Sequence, residues 1–117
     1  MKEDQIRAAE LQVLKLKQVA VEFEAIEKEA MARKERLSEL WNEIITSFKK
    51  IYKAPSKQVT AFELGRLNAQ NANWLESRYL DDPETKEAIY EMFGPIDKSR
   101  LFELVIQTIS ENPNYQR

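Results

Sequence analysis

The chain has 117 residues, 43% hydrophobic and 32% charged, with a formal net charge of −2, no Cys, no His, two Gly and four Pro. That length suits one small domain, and the balance is that of a helical, water-exposed protein, without the turn dipeptides and β-branched runs of a β fold. The missing Cys and His remove disulfides, thiolate chemistry, the usual general base and the commonest transition-metal ligand.

Residues 2–53 contain neither Gly nor Pro, and their apolar residues recur at helical spacing. This predicts one continuous helix, roughly 78 Å long at about 1.5 Å per residue. Glu3 and Asp4 near its start and Lys49, Lys50 and Lys53 near its end complement the helix dipole. Ala9, Leu16, Phe23, Ala30, Leu37, Ile44 and Ile51 fall seven apart, and Val13, Ala20, Glu27, Lys34, Trp41 and Phe48 form a companion row. Two rows at that spacing are a coiled-coil seam. Glu27 and Lys34 interrupt it, so the helix carries an outer patch from Ile6 to Ile26 and an inner one from Leu37 to Tyr52. The inner patch (Leu40, Trp41, Ile44, Ile45, Phe48 and Ile51) is too wide and aromatic for a single partner helix and is expected to face a globular core. The outer patch is expected to form a projecting arm.

Pro55 ends the long helix, and Thr60 with Glu63 has capping-box spacing for a second helix running to about Leu80. Four amides within Asn68–Asn73 lower helix propensity and invite a kink or break there. Asp82-Pro83-Glu84 starts a third helix that ends at Gly94-Pro95, and Asp97 caps a fourth from Lys98 to about Ser110. The fourth helix has two apolar faces, Leu101/Leu104/Val105/Ile109 and Phe102/Ile106, which places it centrally in a bundle or at an interface. The resulting expectation is an all-α fold: a coiled-coil-like arm over 1–36, a small helical domain over 37–112 that includes the second half of the long helix and three shorter helices, and a tail over 113–117.

Catalytic, metal-binding and cofactor-binding residues are all expected to be absent. The only dense acidic group, Asp81, Asp82, Glu84 and Glu87, reads as an N-cap with an acidic first turn, and the two separated Gly make no phosphate loop. The pattern therefore points to a non-enzymatic adaptor or assembly component that oligomerises, or binds another protein, through Ala9, Val13, Leu16, Ala20 and Phe23. The alternative is a small DNA- or RNA-binding regulator. For that reading, Lys49, Lys50, Lys53 and Lys57 would contact nucleic acid, and residues 60–80 resemble a helix-turn-helix, with Gly65 inside the first helix and Ala69 at the turn. Asn68 and Gln70 depart from that motif at positions that should be apolar, and the nearly balanced charge is weak for a nucleic-acid binder. The charged N-terminus and the lack of a long apolar run predict neither a secretory signal nor a membrane helix, hence a cytoplasmic or otherwise intracellular protein, virus-encoded ones included.

Overall fold

Residues 2–112 are described by a computed structural model; the expected tail over 113–117 lies outside them. They form α1 (Lys2–Ile51), α2 (Ala61–Leu75), a π-helical turn (Glu76–Leu80), α3 (Pro83–Phe93) and α4 (Lys98–Glu111). The fold is all-α, with one long helix and three shorter ones, and holds no strand among the described residues. The chain divides into two units that meet between Arg36 and Leu37.

In the second unit, hydrophobic spacing on each helix builds one core. From α1 come Ile44, Ile45 and Phe48, all fully buried. Leu75 closes α2, Ile89 is the buried residue of α3, and Leu101 and Val105 are those of α4. Phe48 sits among rings: stacked on Tyr52 at 5.1 Å and edge-on to Trp74 and Phe102, each at 6.0 Å. Trp41 meets Phe93 edge-on at 4.9 Å. Offset and edge-on pairs suit the ring quadrupole and add to the stabilisation from burial. The two flanks of α4, including Phe102, Leu104, Ile106 and Ile109, are half-buried around its buried pair, as its two apolar faces require.

Local sequence sets the helix boundaries. Thr60, Asp82 and Asp97 each accept a hydrogen bond from the backbone N–H three residues on, at 3.1, 3.1 and 2.9 Å. These bonds satisfy donors that a helix start leaves without intrahelical partners. Glu63, the second half of the expected capping box, instead pairs with Arg66, with Arg66 Nε donating to its Oε2 at 3.2 Å. α3 ends at Gly94, whose φ of 81° and ψ of 179° only Gly adopts without strain.

Three expectations are corrected. α1 ends at Ile51, short of Lys53, and Ile51 itself is exposed rather than part of the core face. The amide run does not break α2, because most of its side chains lie on the exposed face, where low propensity costs only about 0.7 kcal/mol or less per residue. Asn73 also accepts from Lys98 Nζ at 2.7 Å, tying α2 to α4. The irregularity comes later, at Glu76–Leu80, where Asp81 N–H donates to Glu76 C=O at 2.8 Å, five residues back. A turn of i→i+5 bonds sets residues five apart over one another, so Leu75 and Leu80 reach the same core.

Candidate interaction surface

The first unit is built from α1 alone. Every Ile, Leu, Val, Phe and Met from Ile6 to Met31 is exposed. Of the expected interface residues, Val13, Leu16 and Phe23 expose 49%, 65% and 63% of their surface, and Ala9 and Ala20 are exposed as well. Residues at i, i+3 and i+4 share a face of a helix, so Ile6, Ala9, Val13, Leu16, Ala20 and Phe23 line one continuous seam. Toward its end the seam meets Glu27, Ala30 and Lys34, which supply a carboxylate, a methyl group and an ammonium where the apolar rows would continue.

The sequence reading passed over a second apolar line. Leu14 and Val21 are seven apart, as are Leu11, Gln18 and Ala25, and together they run along another face of the same helix. Leu11, Leu14 and Val21 are exposed to 57%, 61% and 65%. Its signal in the sequence is a second, weaker pair of heptad rows, interrupted by Gln18 and closed by the small Ala25.

The basic cluster falls at a helix end and in the connection that follows it. Lys49 and Lys50 lie in the last turn of α1, where cations complement the helix dipole, and Lys53 and Lys57 follow in the connection to α2. Ser56 organises that connection: its Oγ accepts from Gln58 N–H at 3.2 Å and its carbonyl from Val59 N–H at 3.1 Å. The helix-turn-helix expectation over 60–80 is not met, because α2 runs through Ala69 without turning. Phe62, which the sequence placed among the apolar residues of the second helix, is 83% exposed: it falls off the Leu64/Leu67/Leu75 face and lies with Gly65 and Ala69.

Within the acidic group, Asp82 is the helix cap. Asp82 accepts from both Thr85 N–H and the Thr85 hydroxyl, at 3.1 and 2.6 Å, and these two bonds hold its carboxyl below the usual carboxylate range. No cluster of three or more metal-ligating side chains forms among the described residues, and no helix among them is long and apolar enough to cross a membrane. Between α2 and α4 lies a groove of about 440 Å³, floored by Gly65, Ala69 and Ala72 and walled by Lys98 and Phe102. Compared with models of protein families, with curated proteins and with solved structures, the chain matches none.

Proposed function

We propose that this protein is a non-enzymatic adaptor or assembly component that oligomerises through the first part of α1. The carrying observation is the exposed seam Ala9, Val13, Leu16, Ala20 and Phe23, set in a segment whose large apolar residues all face solvent. Contiguous apolar surface of this kind marks a protein–protein contact. Burying a Val, Leu, Ile or Phe contributes about 1.5–3 kcal/mol each, so several such layers supply a strong drive to associate. Residues 37–112 have a core of their own, which this association leaves intact.

The test is light scattering across a range of protein concentrations. The expected result is a species larger than one chain. Leu16→Asp with Phe23→Asp abolishes association while the domain stays helical by circular dichroism. A strict monomer at high concentration refutes self-association.

A further inference from the structure

Resting on that proposal, the two seams of the arm determine how many neighbours each helix has. At about 100° per residue, the Ile6/Val13/Ala20 and Leu16/Phe23 seam and the Leu11/Leu14/Val21 line have centres about 140° apart around α1. One partner helix covers only one of them, because a two-stranded contact buries a narrow stripe. Val19 and Ile26, exposed to 51% and 63%, widen the first seam on one side, which also exceeds what a single partner buries.

Charge shows what kind of helix fits. Two charged rows separate the seams. One is Glu3, Glu10, Lys17 and Glu24, seven apart and alternating in sign from Glu10 on. The other is Lys15 and Glu22, also of opposite sign, and its alternation stops at Glu29, where the apolar seams also end. When the first seam of one helix lies on the second seam of a parallel copy, each charged row faces its own counterpart. In register, Lys17 meets Lys17 and Glu22 meets Glu22. Displaced by one heptad, about 10.5 Å, Glu10 meets Lys17, Lys17 meets Glu24 and Lys15 meets Glu22 of the neighbour, with like charges meeting only at the row ends, Glu3 with Glu10 and Glu22 with Glu29. The surface is therefore more complementary to another copy of itself at this offset than at zero offset, where every pair is of like charge.

We infer that both seams are filled by the same helix of other copies, so that each arm touches two neighbours and the assembly holds at least three chains. A contact between two different faces, repeated with the same axial displacement, climbs at each step and extends as an open array; it does not stop at a pair.

Sedimentation equilibrium on the full chain tests this. The wild type is expected at three or more chains, and Leu14→Glu with Val21→Glu, which spares the first seam, lowers that number. As a second measurement, the chain has no Cys, so a Leu16→Cys, Val21→Cys variant places one thiol on each seam; a bismaleimide should then give a ladder beyond dimers. A wild-type dimer, a mass unchanged by loss of the second seam, or crosslinks that stop at dimers overturns the two-neighbour inference and leaves the proposed function standing. A monomer at every concentration overturns both.

Discussion

Phe23 and Phe48 lie on the same helix and test the division of labour along it. Phe48 is fully buried and touches three other rings, whereas Phe23 is 63% exposed. Phe48→Ala removes a buried ring and leaves a cavity, at a cost of about 3–5 kcal/mol. Each lost ring pair adds about 0.5–1.5 kcal/mol beyond area, which places Phe48→Ala at the upper end of that range. A domain the size of residues 37–112 has a total stability of about 4–11 kcal/mol, so the loss removes a large share of it. Phe23→Ala touches none of this core. Both Trp residues, Trp41 and Trp74, belong to the second unit, so their fluorescence during urea unfolding reads that unit. Phe48→Ala is expected to collapse the urea midpoint, and Phe23→Ala to leave it in place while weakening association by light scattering. A Phe48→Ala loss below about 1 kcal/mol would fall outside the cavity range and refute the core assignment. An equal midpoint shift in Phe23→Ala would refute the separation of arm and domain.

Other changes probe the ends and the π-helical turn. Asp82→Ala should lower the melting temperature at neutral pH. Because the Asp82 carboxyl is held below its ordinary value, its contribution is full above the unfolded-state pKa and fades as pH falls through the folded one, so the gap to wild type should close in acid. Melting curves of both proteins across that range check it, and a gap that widens in acid contradicts the capping role. Gly94→Ala meets no side chain within 4 Å, so its cost is backbone strain alone, about 1–3 kcal/mol by urea unfolding. An unchanged stability there would mean the α3 end is not held at positive φ. The Tyr79 hydroxyl is buried with no hydrogen-bond partner among the described residues. Tyr79→Phe removes that desolvated group and is expected to stabilise by about 1 kcal/mol; destabilisation would show that the hydroxyl is satisfied.

What the sequence made legible was governed by local rules. Thr60, Asp82 and Asp97 were readable as caps because a side-chain oxygen three residues before a free N–H is a chain-local arrangement. The unbroken α1 followed from the absence of Gly and Pro, and the inner aromatic patch from its width. Features that depend on packing were not readable. The π-helical turn goes with the burial of both Tyr79 and Leu80, which nothing local marks, whereas the amide run before it misleads. Ile51 and Phe62 are apolar and exposed, since hydrophobicity alone does not say which face of a helix the core occupies. Of the candidate site, the first seam is legible as two nearly unbroken heptad rows, whereas the second, interrupted by Gln18, is marked by the exposure of Leu11, Leu14 and Val21.

On the proposed function, the polar stretch from Glu27 to Arg36 lets one helix serve two purposes. A continuous apolar seam would let assembly partners compete with the domain for the same face. Glu27 and Lys34 interrupt both possibilities, since burying either charge without a partner is costly. Phe23 is exposed in the first unit and Phe48 is buried in the core of the second, and substitutions at independent sites add. The double variant Phe23→Ala, Phe48→Ala should therefore show the sum of the single effects, within about 0.5 kcal/mol on the urea transition. A larger coupling energy would mean that association through the arm reaches the core of the second unit, and that the polar stretch does not insulate it.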